Sequence, residues 1–120
     1  MNKAQAIHSF WNSFGLKAYD QFTVPQTAKM PYITYNVSEA EIDTYVGLYG
    51  SLWYYGTSWE QAELKSAEIA RHIARMSPIK VDGGYLFINL GTPFSQRLQD
   101  EDDNVRRIYI NLQAEFLTEH

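Results

Sequence analysis

The stretch Leu52-Trp53-Tyr54-Tyr55-Gly56-Thr57-Ser58-Trp59-Glu60-Gln61 constrains the chain more than any other. Side chains of a strand alternate between two faces, so a run that is apolar or aromatic at successive positions asks for cover on both. A chain of 120 residues has one core to offer. One face of this strand can lie on that core, and the other needs something else. The stretch also marks a boundary. Ser58 and Gln61 carry the S-x-x-Q spacing of a capping box, which predicts that a helix begins there.

Around this anchor the remaining elements follow from period and punctuation. Residues 3–14 place Ala6 or Ile7, Phe10, Trp11 and Phe14 on one side of a short helix, with Gly15 as its C′ stop. Residues 16–30 show no clear period and are bracketed by Pro25 and Pro31, so they read as an ordered surface loop. Residues 32–37 read as a strand with Ile33, Tyr35 and Val37 on one face, and 38–43 as a polar turn. A longer strand covers 45–55. The helix at 59–76 has its stripe at Ala62, Ile69, Ala70, Ile73 and Met76, and Pro78 limits its continuation. Residues 79–81, the turn Asp82-Gly83-Gly84 and 85–90 form a β-hairpin. Residues 91–104 read as a polar loop and 105–117 as the last strand. The expected architecture is α+β: a single domain over 1–120, with an antiparallel sheet of about four to five strands and two helices in the order α-β-β-α-β-β-β.

Sorting the strands by parity gives a helix-covered face of Val46, Leu48, Leu52, Tyr54, Leu86, Ile88, Ile108, Ile110, Leu112 and Phe116. The opposite face carries Tyr45, Tyr49, Trp53, Tyr55, Tyr85, Phe87 and Tyr109. Each aromatic ring can bury on the order of 150–250 Å², so even half-covered these seven exceed the roughly 300–600 Å² patch usual on a monomer. Two covers are open. The first helix and the 16–30 segment could fold over this face, or a neighbouring copy could. In the second case Arg71, Arg75, Arg106 and Arg107 would meet the acids of the next subunit. A bulge at Gly47 or Gly50 would shift the parity.

Composition narrows the chemistry. There is no cysteine, which removes disulfides and thiolates. The formal charge of −4 argues against a generic nucleic-acid footprint. The first 14 residues lack the basic end and apolar run of a signal peptide, and no segment reaches the roughly 20 apolar residues of a membrane span. His8, His72 and His120 have no ligand spacing, so no metal is expected. The run Asp100-Glu101-Asp102-Asp103 lacks the register of a calcium loop and reads as a solvated, mobile segment. Flanked by Arg97, Arg106 and Arg107, it could become ordered against a partner's charges. No nucleophile elbow, phosphate cradle or paired-carboxylate motif is present, so no catalytic residue and no cofactor are expected.

As a whole the chain resembles the small tail-terminator or minor tail proteins of long-tailed bacteriophages and prophages, particularly those of Gram-positive hosts. The likeness is carried by Val24-Pro25, Met30-Pro31-Tyr32-Ile33-Thr34-Tyr35, the 52–59 stretch, Thr92-Pro93-Phe94-Ser95-Gln96-Arg97 and the strand from Arg107 to Phe116. It implies a structural virion protein that caps the tail tube as a ring, six-membered in that family, ends tail polymerisation and offers a head-joining surface. The implied partners are further copies of itself, the tail tube protein and a head-side connector, at the head-proximal end of the tail. The aromatic set Tyr45, Tyr49, Trp53, Tyr55, Tyr85, Phe87 and Tyr109 is then the candidate subunit interface. Phe94, Arg97, Asp100, Glu101, Asp102, Asp103, Arg106 and Arg107 form the candidate tube or connector loop. A head-closure or neck protein of the same particle is the alternative within this class. A small-ligand-binding domain using the aromatic face is the alternative outside it.

Overall fold

The computed structural model describes residues 1–39 and 45–118. In chain order the elements are α1 (Lys3–Asn12), β1 (Ala18–Asp20), β2 (Tyr32–Glu39), β3 (Tyr45–Tyr55), α2 (Glu60–Arg75), β4 (Ile79–Val81), β5 (Gly84–Leu98) and β6 (Val105–Thr118). All six strands belong to one sheet with the order β1-β2-β3-β6-β5-β4. Its pairings are antiparallel except β1 with β2, which is parallel. The sheet is therefore mixed and has more strands than the expected four to five. The added strand is β1, three residues inside the segment read as loop. The expected turn at 38–43 falls largely outside the described residues.

The long strands follow the parity expected of them. Leu48 and Leu52 on β3, Leu86 on β5, and Ile108, Ile110 and Leu112 on β6 are completely or almost completely buried. Burying each contributes on the order of 1.5–3 kcal/mol. The β3–β6 register runs without interruption from Tyr45 opposite Glu115 to Tyr55 opposite Val105, so neither Gly47 nor Gly50 makes a bulge there. At Gly50 the absent side chain serves packing: a Cβ would lie 2.6 Å from the Trp11 ring.

Trp11 comes from α1, and this settles which side the first helix takes. Ala6, Ile7, Phe10 and Trp11 of α1 and Ala62, Ser66, Ile69 and Ile73 of α2 are the buried residues of their helices. They share one hydrophobic cluster with Leu48, Leu52, Ile108 and Ile110. Both helices lie on the same face of the sheet. Of the first cover left open for the aromatic face, α1 together with the 16–30 segment, α1 is thus removed: its large side chains are needed on the other side, where Phe10 and Phe14 meet edge-to-face at 5.3 Å and Phe14 meets His72 of α2 at 5.2 Å. Thr27, Ala28 and Lys29 of the segment, with Pro31, line a hollow with Tyr19 at the β1 end of the face.

Capping differs from expectation. The Asn2 side chain accepts from the Gln5 amide at 2.8 Å and the Gln5 side chain accepts from the Asn2 amide at 2.9 Å, a complete capping box on α1. At α2 the expected Ser58–Gln61 box does not form; the Ser58 hydroxyl accepts instead from the Glu60 amide at 3.1 Å. Trp59 holds the N-cap position, with Glu60 and Glu63 in the first turn and His72 and Arg75 in the last, signs that suit the helix dipole. Gly15, expected as the C′ stop of α1, has φ +80 but lies beyond the cap at Ser13.

The largest departure is in β5. Residues read as the start of a loop continue the strand to Leu98, through an irregularity between Leu90 and Ser95 in its pairing with β6. Four residues of β5, 91–94, lie there against Asn111 alone on β6, and such an excess interrupts the ladder and bends the strand. Asn111 of β6 fills the space beside Gly91, where a Cβ would meet its side-chain nitrogen at 2.5 Å, and its amide donates to the Pro93 carbonyl at 3.3 Å. Phe94 turns to the core cluster and packs against it half-buried. Beyond the irregularity, odd-numbered residues take the helix side, which puts Arg97 opposite the core residue Ile108.

Candidate assembly surface

The face of the sheet turned away from both helices is built by pairs read directly from the register. Tyr32 is opposite Trp53, Thr34 opposite Ser51, and Asn36 opposite Tyr49. Across β3, Trp53 is opposite Arg107, Ser51 opposite Tyr109, and Tyr49 opposite Asn111. β1 extends this row, with Tyr19 beside Thr34.

The rings form a connected layer. Tyr19 meets Tyr32 edge-to-face at 5.8 Å, Tyr32 meets Trp53 at 6.2 Å, and the Arg107 guanidinium lies 4.4 Å above the Trp53 ring. Tyr49 and Tyr109 stack at 6.0 Å with their planes 17° apart. The polar groups inside this layer bond to each other: Trp53 Nε1 donates to Thr34 Oγ1 at 2.8 Å, and Arg107 Nε donates to Ser51 Oγ at 3.0 Å. A contact on this face therefore leaves those two donors satisfied, which lowers the penalty of covering them.

Electrostatics agree with a partly desolvated layer. Burial raises the Tyr32 hydroxyl, with Asp100 and Tyr19 adding to the effect. Burial also raises Tyr109, helped by Tyr49 and opposed by Arg107. Arg107 is lowered by burial, against the opposing pull of Asp100 and Tyr109.

Of the seven residues expected on this surface, Tyr49, Trp53, Phe87 and Tyr109 are half-buried and Tyr55 and Tyr85 are exposed, Tyr55 at 66%. Tyr45 has its backbone in β3; its side chain lies outside the described part. The Tyr85 ring carries Lys80 at 4.6 Å from its centre. Tyr19, Tyr32, Thr34, Ser51 and Arg107 also belong here. For Tyr32 and Thr34 the signal was present, since Ile33 and Tyr35 had been placed on the other face. For Tyr19 it was absent, because three residues carry no period.

The candidate loop set divides four ways, and Phe94, packed half-buried against the core, does not belong to the tip. Arg107 belongs to the aromatic face. Arg97 and Arg106 embrace Trp59, at 4.7 and 5.5 Å from its ring centre. Arg97 Nε also donates to Glu63 Oε1 at 2.8 Å, and Arg106 donates to the carbonyls of Thr57, Val105 and Asp103. The acidic residues form the β5–β6 turn through two successive side-chain turns: Asp100 accepts from the Asp102 amide at 3.0 Å, and Asp102 from the Asn104 amide at 2.9 Å. A hollow of about 320 Å³ lies at this tip between Trp59, the two arginines and the acids. Arg106 is held there by backbone carbonyls, with its Nε buried and unpartnered, and Asp100 and Asp102 are held by backbone amides. Arg71 and Arg75, grouped with these arginines in sequence, are exposed on α2, away from the aromatic face.

Among the described residues, no group of three or more His, Asp or Glu side chains is placed to hold a metal ion. His8 Nδ1 lies 2.9 Å from the Tyr35 hydroxyl, and its Nε2 lies 2.8 Å from Asn12 Nδ2. No helix there is long and apolar enough to cross a membrane.

No protein-family model matches the chain. No curated protein matches it either. A solved structure does: a chain of the virion of a native gene transfer agent particle, with a TM-score of 0.51 and 15% identity, covering 92% of this chain and 83% of that one. At that identity the likeness is one of fold, and it spans nearly the whole of the chain.

Proposed function

We propose that this chain is a structural protein of a phage-like particle that closes the end of the tail tube as a ring, stops its polymerisation and presents the surface to which the head joins. The observation that carries the reading is the half-buried aromatic layer on the sheet face that both helices leave free, in which Trp53 Nε1 and Arg107 Nε already have partners. The fold shared with a chain of a gene transfer agent virion supports it. So does the resemblance of the 52–59 and 107–116 segments to tail-terminator proteins. A closed ring needs two different, complementary patches on each subunit. We assign one to the aromatic layer and the other to an edge of the sheet. The β5–β6 tip, with Arg97, Arg106 and the acids at 100–103, is assigned to the tube or the connector. The reading gives the chain no catalytic step and no cofactor, and places it in the virion at the head-proximal end of the tail.

Deletion of the gene tests the reading through the tail-length distribution seen by negative-stain electron microscopy. Overlong or ragged tails separated from filled heads are the expected result. Tails of normal length left unattached would move the protein to head closure, and normal infectious particles would overturn a structural role.

At the residue level, Trp53→Ala is expected to cost assembly more than fold. The half-buried indole contributes on the order of 1–2 kcal/mol to stability. As the centre of a covered patch it is worth 2 kcal/mol or more, about a thirtyfold weaker subunit contact. The check is a melting curve beside complementation of the deletion. A variant that melts far earlier yet complements fully would remove Trp53 from the interface.

A further inference from the structure

The aromatic face carries a charge pattern that selects a particular partner. On β6 its residues are, in order, Arg107, Tyr109, Asn111, Gln113 and Glu115, a cation at one end, an anion at the other and an amide at the centre. The neighbouring strand repeats the symmetry. On β5, Leu98 is opposite Arg107 and Phe87 opposite Glu115; Gln96 is opposite Tyr109 and Asn89 opposite Gln113. Apolar residues sit at both ends of β5, and polar residues sit inside them.

We infer that the occupant of this face in the free protein is a second copy of the same chain, packed face to face about a two-fold axis that crosses β6 at Asn111. That axis lies between the sheets, perpendicular to the strands. It sets Arg107 against Glu115 of the other copy, Leu98 against its Phe87, and Gln96 against its Asn89. On β3, Tyr49, opposite Asn111, meets its own equivalent near the axis. The alternative two-fold, parallel to the strands, would set Arg107 on Arg107 and Glu115 on Glu115, and like charges reject it. On β6 and β5 the antiparallel arrangement sets opposite charges, apolar residues and amides against one another.

Size and surface also fit. β3 and β6 pair along 11 residues of β3, about 36 Å at the usual rise, and four strands at ordinary spacing make a width of about 19 Å. The resulting area of roughly 700 Å² per copy, or about 1,400 Å² in total, lies within the range of stable specific interfaces. Sheets stack about 10 Å apart with strands nearly aligned, a distance that long side chains such as Arg107 and Glu115 bridge from opposite sides. The centre is low: the Tyr49 ring lies back over Gly47, where a Cβ would come within 2.7 Å of its hydroxyl. Burial disfavours the charged form of Arg107, and Asp100 and Tyr109 offset this only in part, so an opposing carboxylate is favourable there. In this arrangement the free subunit hides its aromatic layer, and entry into a particle exchanges one cover for another. The inference concerns the free protein and goes beyond the proposed ring.

The test is sedimentation equilibrium of the full chain, with Arg107→Glu, Glu115→Arg, the double exchange, and an equimolar mixture of the two single variants. The wild type is expected to form a dimer that weakens with salt. Each single variant should weaken association on the order of tenfold or more. The double exchange and the mixture should both recover it, because each restores opposite charges across the axis. A wild type that is monomeric at about 100 μM, or one that goes to a higher closed ring, overturns the inference, as does a mixture no better than its components. If the double exchange fails to fold by circular dichroism, the mixture of folded single variants decides. If a single variant also fails to fold, dimerisation of the wild type and its weakening by salt decide. Tail length is not read in this assay, so its failure and the failure of the terminator reading are separable.

Discussion

Trp11→Ala is expected to remove about 3–5 kcal/mol of stability, the range for truncating a fully buried aromatic. In a chain of this size that lowers the melting temperature by roughly 10–20 °C. Trp11 is 0% exposed, the largest side chain completely enclosed in the core. It meets Phe10 edge-to-face at 5.2 Å and stacks on Tyr35 at 6.5 Å. It thereby joins α1 to β2 and β3, and losing it opens a cavity where the helix crosses the sheet. Its Nε1 is buried without a hydrogen-bond partner, so part of what the ring contributes is already offset by a stranded donor. Trp11→Phe should cost far less than Trp11→Ala, since both remove the stranded donor but phenylalanine keeps most of the ring volume. Urea unfolding of the three proteins measures this. Equal losses for the two substitutions would show that the volume of the ring is not what holds α1 to the sheet.

Gly50→Ala acts on the same contact from the other side. The new Cβ would stand 2.6 Å from Cη2 and 2.8 Å from Cζ3 of the Trp11 ring, closer than real atoms approach. A fully buried indole has no free direction in which to yield. Overpacking of this kind costs about 1–3 kcal/mol. Gly47 is the useful contrast. Its nearest neighbour is the end of the Tyr49 ring on the uncovered face, which can swing outward, so Gly47→Ala should cost much less. In the Trp11→Ala background the clash disappears, and Gly50→Ala should become neutral or mildly stabilising. The coupling between positions 11 and 50, about 1–3 kcal/mol in a double-mutant cycle, is the quantity to measure. Additive effects would show that Gly50 matters for reasons other than the ring above it.

How far the sequence reached is clearest on β3 and β6. Strand period is a local property, and both strands are long enough to display it, so Leu48, Leu52, Ile108, Ile110 and Leu112 sorted correctly from Tyr49, Trp53 and Tyr109. The α2 stripe was legible for the same reason, except that Ser66, buried at 4% exposure, is polar by type and gave no apolar signal. Where a segment was too short or irregular, the sequence misled. β1 holds three residues, and its pairing with β2 is a contact to residues some fifteen positions on. Residues 91–98 look like a loop because Gly91, Thr92 and Pro93 break the alternation that β5 resumes after its irregularity.

The candidate surface divides along the same line. Its chemistry was written in the composition of alternate positions: an aromatic row that no chain of this length could cover on both sides. Which side stayed open was not. The amphipathic face of α1 would serve either side of the sheet, and only the space above Gly50, shaped to receive Trp11, directs it to the side already taken by α2. Likewise Arg106 and Arg107 are neighbours in sequence but point to opposite faces, one to Trp59 and the other to Trp53. The sequence by itself determined the periods, the presence of the two helices and the identity of the aromatic row, because these depend on neighbours a few residues apart. Only the tertiary structure decided the parallel edge strand, the shift in β5 and the free face, because each depends on which distant surfaces fit together.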